Sequence, residues 1–148
     1  MKAKLAWIAW ALIPVGVGAL HLGPGQCLMK RDDAGATIRT AADAAAAGDW
    51  ATAAANYAAA RDLLPEDAAA ERRTLEIAEA KALVESGDFL EAASLYESLI
   101  AREEAAESPN QEVLTQLRSG LGEVAYYTAW VMRIEGATAD EWKPETEK

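Results

Sequence analysis

Residues 48–57 read GDWATAAANY, and residues 87–96, which begin 39 positions later in a chain of 148 residues, read GDFLEAASLY. Both segments contain glycine, aspartate and an aromatic residue in a row, then an alanine three positions on and a tyrosine four positions further. Glycine favours the end of one helix, and aspartate caps the start of the next. Each segment therefore predicts a turn between two antiparallel helices, and its recurrence predicts a helical repeat.

Breaking and capping residues divide the rest of the chain in the same way. They predict five helices, at about 34–47, 50–64, 66–86, 89–106 and 109–135, and a short terminal helix beginning near Thr138. Alanine is abundant, and the alternating runs of Val, Ile and Thr that strands need are missing, so an all-α fold is expected. Three starts are predicted as capping boxes: Asp88 with Glu91, Ser108 with Gln111, and Thr138 with Glu141.

The N-terminal segment is apolar. Lys2 and Lys4 precede residues 5–22, which contain no acidic residue, Lys or Arg and would span about 27 Å as a helix. Because the positive charges come first, the N-terminus is expected in the cytoplasm and the rest of the chain outside it. We predict a membrane anchor in residues 1–22, a linker in 23–33 and a folded domain in 34–148. Cleavage after Ala19 is the alternative, which would export the domain.

The arrangement resembles the tetratricopeptide repeat, in which antiparallel helix pairs stack into a solenoid. The resemblance covers residues 34–135 as two units and a partial third, but the interval of 39 residues exceeds the usual spacing of about 34. It implies a small residue wherever two helices cross. The matching residues are Ala41, Gly48, Asp49, Trp50, Ala53, Tyr57, Ala60 and Pro65; then Ala80, Gly87, Asp88, Phe89, Ala92 and Tyr96; then Leu121, Gly122, Ala125, Tyr126 and Tyr127.

The resemblance also implies a binding groove, because the first helix of each unit lines a concave surface in this family. Arg39 and Lys81 are expected to bind a peptide carboxylate there, with aliphatic neighbours holding a side chain. The alternative is that both cations only form weak surface ion pairs with nearby acids. The predicted partner-binding residues are Ile38, Arg39, Ile77, Lys81, Val84, Arg118, Tyr126 and Trp130.

The aromatic residues are assigned two roles. Trp50, Tyr57, Phe89 and Tyr96 are expected to pack between helices, as at the matching positions of the repeat. Trp130 lies on the last long helix, and if the terminal helix does not cover it, an exposed apolar patch should mark an interface.

Composition and motif content exclude several functions. The chain carries a net charge of −10, and residues 32–148 hold ten bases against all 24 acids, which disfavours nucleic-acid binding. We found no nucleophile with a histidine base and no glycine-rich phosphate loop, and neither His21 nor Cys27 has a second ligand nearby. We therefore expect no enzyme activity, cofactor or metal. Carboxylates such as Glu76 with Glu79, and Glu103 with Glu107, are interpreted as charged surface.

These observations predict a membrane-anchored, extracytoplasmic adaptor that binds a protein or peptide. With fewer than three complete units, the stack has an open end, so either the chain is a truncated copy or a partner or second copy covers that end. The alternative function is a structural subunit of an envelope complex, or a self-associating scaffold, with no groove ligand.

Overall fold

A computed structural model describes residues 24–147, and this part of the chain is all-α, with six α-helices and no strand. The predicted anchor and the Ala19 cleavage point lie outside these residues, and no helix within them is long and apolar enough to span a membrane. The helices are α1 (Pro24–Ala46), α2 (Trp50–Leu63), α3 (Ala69–Ser86), α4 (Phe89–Glu104), α5 (Gln111–Ile134) and α6 (Ala139–Trp142), and a 3-10 helix follows at Lys143–Glu147.

Each long helix packs mainly against the helices before and after it in the chain. The pairing of α4 with α5 illustrates the geometry: Phe89 stacks on Tyr127, while Tyr96, two turns along α4, lies against Gly120 of α5. Contacts that advance along α4 while receding along α5 require antiparallel helices. The helical spans predicted from the sequence are confirmed to within three residues for α2 to α5.

Small residues form the closest contacts between the helices. Ala41, Ala53, Ala60, Ala80 and Ala92 are all 0% exposed. Tyr96 is 2% exposed, and Trp50, Tyr57 and Phe89 are partly buried against the same core, so the predicted packing role of these aromatic residues is confirmed. A side chain of one carbon lets two helix backbones approach, while the rings fill the space beside the crossing.

The predicted turns are present. Gly48 and Gly87 have φ values of 78° and 88°, in the left-handed region that glycine adopts without steric cost. Asp49 caps α2 by accepting a hydrogen bond from the Thr52 N–H at 3.2 Å. Leu64 is extended because Pro65 follows it, and α2 ends one residue earlier.

Two predicted capping boxes are wrong. Asp88 forms no side-chain cap on α4, because its carboxylate accepts a hydrogen bond from the Ser86 hydroxyl at 2.7 Å instead. At the start of α5 the cap is Asn110 rather than Ser108, and it accepts hydrogen bonds from the N–H groups of Glu112 and Val113. In the third box, the Glu141 carboxylate accepts a hydrogen bond from the Thr138 N–H at 2.7 Å, as predicted.

Helix α1 is longer than the sequence predicts. It begins at Pro24, so residues 24–33 are helical although a linker is predicted there. Proline is favourable in the first turn of a helix, where its missing N–H would have no partner and its φ is already helical. Pro24 is therefore the first residue of α1 and does not interrupt it.

Candidate functional site

The two cations of the predicted groove are exposed, on α1 and α3. Among the residues that the structure describes, no carboxylate forms an ion pair with Arg39 or Lys81. Helices α1 and α3 both pack against α2 and have no extensive contact with each other, so the structure does not bring the two cations into one contact. Both charges are therefore available to a partner, as two separate positions.

The aliphatic part of the predicted groove is less accessible. Val84 is only 7% exposed and belongs to the core, and Ile77 packs against that core. Ile38 is half-buried on α1. Arg118 is paired with Glu104 at 2.7 Å across the α4–α5 turn, with both side chains at least half exposed. The predicted groove therefore presents charged side chains to a partner and not an apolar pocket.

The most exposed apolar surface lies on α5. Tyr126, Trp130 and Ile134 are 63%, 51% and 65% exposed, and we call these three residues the exposed stripe. Their spacing of four residues puts them on one face of the helix. At about 100° per residue, Trp130 lies roughly 140° around the helix from Leu117, which is fully buried. The stripe thus points away from the core.

The stripe is fixed to the core through Tyr127. The Tyr127 ring stacks on Phe89 of α4, with centroids 6.0 Å apart, and the Tyr126 ring meets Tyr127 edge-on at 5.7 Å. The terminal segment packs beside the stripe rather than over it: Arg133 lies above the Trp142 ring at 5.0 Å, and Trp130 stays half exposed. The terminal helix thus does not cover Trp130, which is the condition stated for an exposed patch there.

Three carboxylates interpreted as charged surface are instead ion-paired between helices. Glu76 and Glu103 are only 8% and 7% exposed. Arg102 of α4 reaches Glu76 at 2.6 Å, Arg73 of α3 reaches Glu103 at 2.6 Å, and Arg61 of α2 reaches Glu79 at 2.7 Å. The surface interpretation of these residues is wrong because their partners lie 18 to 30 positions away, where no local sequence pattern reveals them. Glu107 remains exposed.

The pKa values of two of these carboxyls shift in opposite directions. Burial raises the pKa of Glu79, and Arg61 offsets only part of that effect. The Asn110 N–H, which donates to Glu103 at 2.8 Å, lowers the pKa of Glu103, and Arg73 adds to the effect. Both groups are held by structural partners, and no histidine or nucleophile accompanies them among residues 29–146. The Glu79 and Glu103 carboxyls therefore connect helices through ion pairs and a hydrogen bond, and they do not form an acid–base pair.

Metal binding and similarity to known proteins provide no further site. The described residues contain no group of three His, Cys, Asp or Glu that could hold a metal ion.

Comparison with known proteins finds no matching family model, no matching curated protein and no matching solved structure. The candidate site therefore depends on the surface of this chain alone. Of its residues, Ile134 is one that the sequence argument missed, although its spacing from Trp130 would have indicated it.

Proposed function

We propose that this protein is a tetratricopeptide-like interaction module, held at the membrane by its N-terminal segment, that binds another protein on the extracytoplasmic side. The observation that carries the proposal is the exposed stripe of Tyr126, Trp130 and Ile134 on the side of α5 away from the core. Exposed aromatic and aliphatic residues grouped on one face are typical of protein interfaces, and Trp and Tyr commonly dominate their energetics. The proposed role is binding, without catalysis or a cofactor.

The repeat architecture is supported by the positions of the small residues. Ala41, Ala80 and Gly120 follow one another at intervals of 39 and 40 residues and lie in α1, α3 and α5, that is, in every second helix. The two alanines are 0% exposed, and Gly120 lies directly against the Tyr96 ring. The resemblance placed Gly122 at the third crossing, but the position beside Gly122 is open.

The test compares two single substitutions in the full chain within its native membrane. Trp130→Ser removes the centre of the stripe, and Met29→Ser removes a hydrophobic side chain of similar exposure, 55% against 51%, on α1. After cross-linking and purification through the chain, we expect Trp130→Ser to reduce recovery of the bound partner by about tenfold, as for an interface hot spot. Met29→Ser should leave recovery and helicity unchanged. Equal recovery with both variants would contradict the proposal.

The stripe also favours a second function, that of a structural subunit or self-associating scaffold with no exchangeable ligand. A permanent interface is more apolar than a transient one, and three large exposed hydrophobic residues on one face suit it. Mass measurement by light scattering after detergent extraction separates the two functions. A monomer with an exchangeable partner supports the adaptor, and an obligate oligomer that Trp130→Ser dissociates supports the subunit.

A further inference from the structure

We propose that a groove between α4 and α5 binds a cationic amphipathic helix of a partner protein. This inference rests on the proposed function, because it names the class of partner segment that the module binds. The groove has a volume of 840 Å³, within the range of small-ligand pockets. Its apolar walls are formed by Phe89, Leu90 and Ala93 of α4 and by Leu121, Val124 and Ala125 of α5. We call it the terminal groove.

The shape of the terminal groove suits a helix. The residues of α5 that line the groove, from Leu121 to Thr128, recur at three- and four-residue intervals, so this wall runs along the helix for about two turns. Leu90, at the rim, is 88% exposed, whereas Val124, in the floor, is 2% exposed. An amphipathic helix binds such a groove through side chains at the same intervals on its apolar face.

The terminal groove lies where the stack of helices stops. Each of α2, α3 and α4 is covered on two sides, by the helix before it and the helix after it. The short terminal helix and the 3-10 helix pack against α5 and have no extensive contact with α4, although Glu145 reaches the groove. Within the described residues, the terminal segment therefore contributes only Glu145 to the lining of the groove and leaves its α4 wall uncovered.

The charge of the groove identifies the chemistry of that helix. Asp88, Glu91, Glu97 and Glu145 line the groove, and among residues 29–146 no Lys or Arg does. By contrast, the charges that line a smaller groove between α3 and α4 are balanced. Three acids and three arginines line it, and most of them pair with one another. Within the described part of the chain, Glu91 and Glu97 form no ion pair. An occupant with Lys or Arg beside its apolar face would neutralise these carboxylates.

A second copy of this chain suits the groove less well. The chain carries a net charge of −10, so docking another copy against an acidic rim would bring like charges together. Glu123 lies on the same face of α5 as the exposed stripe. If a second copy placed its stripe in the groove, its Glu123 would bring a further negative charge there. The charge therefore favours a different, cationic protein segment.

The test uses the full chain in a neutral detergent and a fluorescent probe peptide of about five helical turns. The probe has leucines on one face flanked by lysines. One control peptide has the same residues in scrambled order, and the other has glutamate in place of each lysine. Binding is measured by fluorescence anisotropy against empty micelles at the same detergent concentration. We expect the probe to bind and both control peptides to bind at least about tenfold more weakly, because they lack the apolar face or the cations.

Two charge-matched variants localise the binding. Glu91→Lys with Glu97→Lys reverses two exposed carboxylates of the groove, and Asp43→Lys with Glu107→Lys reverses two exposed, unpaired carboxylates elsewhere. The groove variant should weaken probe binding about tenfold, and the control variant less than twofold, since attraction is lost and repulsion gained only near the bound peptide. Equal weakening by both variants, or binding of the scrambled peptide equal to that of the probe, would overturn the terminal groove as a site.

The Trp130→Ser variant separates this inference from the proposed function. Its stripe is altered and the terminal groove is intact, so it should bind the probe like the unaltered chain. Suppose that the unaltered chain does not bind the probe, but the Trp130→Ser variant loses the native partner. The groove would then be refuted as a site, while the proposal of an interaction module would stand. Self-association that the groove variant abolishes would instead show that the occupant is a second copy, and would overturn the inference.

Discussion

At the scale of single residues, the distance between helices is set by side chains of one carbon or none. Gly120 of α5 is the extreme case, because a Cβ atom built there would lie 2.5 Å from Cζ of Tyr96. Real Cβ atoms do not come so close to a ring, so an added methyl group must push α4 and α5 apart or displace a buried tyrosine. Gly122, only two residues later, faces open space.

The two glycines give a matched pair of substitutions. Gly120→Ala should destabilise the protein by about 1–3 kcal/mol through overpacking. Gly122→Ala should instead stabilise it by about 0.5–1 kcal/mol, because alanine favours the helix and meets nothing. Urea unfolding followed by circular dichroism measures both changes. Similar effects of the two substitutions would show that the Gly120 contact with Tyr96 does not control stability.

At the scale of helices, arginine–glutamate pairs fix how α3 lies against its neighbours. Arg73 and Glu76 of α3 pair with Glu103 and Arg102 of α4, so each helix supplies one acid and one base. The two residues of α3 lie near its start and the two of α4 lie near its end. The pairs therefore select a single antiparallel register of the two helices. Glu103 also accepts the Asn110 N–H just before α5, which connects three helices through one carboxylate.

This connection predicts a pH dependence for Glu103. The folded protein lowers the pKa of Glu103 from its ordinary value of 4.5, first through the Asn110 N–H and then through Arg73. A lowered pKa stabilises the folded state at pH values above that ordinary value, and the contribution is lost as pH falls through the folded-state pKa. Glu103→Gln should therefore lower the melting temperature at pH 7 and make progressively less difference on acidification.

Thermal unfolding between pH 7 and pH 3 checks this expectation, with the variant compared with the unaltered chain at each pH. Glu107→Gln is the control, since Glu107 is exposed in the same connection between α4 and α5. It should leave the melting temperature unchanged across the range. A Glu103→Gln deficit that stays constant down to pH 3 would mean that the side chain contributes through packing rather than through its charge.

At the scale of the whole molecule, local signals predicted the helices and long-range contacts could not be predicted. Gly48, Gly87 and Asp49 act within a few residues of themselves, so the sequence was sufficient to place the turns. The Arg73 pair with Glu103 requires α3 and α4 to be packed together, and nothing near either residue in the sequence indicates the other. The hydrogen bond from Ser86 to Asp88 is an exception, because it is a local contact between residues two positions apart that the capping-box pattern does not include.

The same distinction applies to the candidate site. Tyr126 and Trp130 were candidates for partner binding from the sequence, and both are exposed. Val84 was assigned to a groove by its position in the repeat, but it packs in the core because α3 is in contact with helices on both sides. The terminal groove required knowledge of which helix lies beside α4, and no motif in the sequence gives that information.

The distribution of charge over the molecule allows the Arg39 and Lys81 hypothesis to be tested by itself. Both cations are exposed and unpaired within the described residues, on a chain whose net charge is −10. Arg39→Glu with Lys81→Glu makes that charge four units more negative, and so does the control Lys30→Glu with Lys143→Glu, which alters two other exposed lysines. Neither pair removes an ion pair found among residues 29–146, so helicity by circular dichroism should be unchanged in both. If a partner carboxylate binds at Arg39 and Lys81, recovery of the cross-linked partner should fall with the first pair and not with the control, because only there is an attraction replaced by a repulsion. Equal recovery with both pairs would restrict the binding surface to α4 and α5, where the exposed stripe and the terminal groove lie.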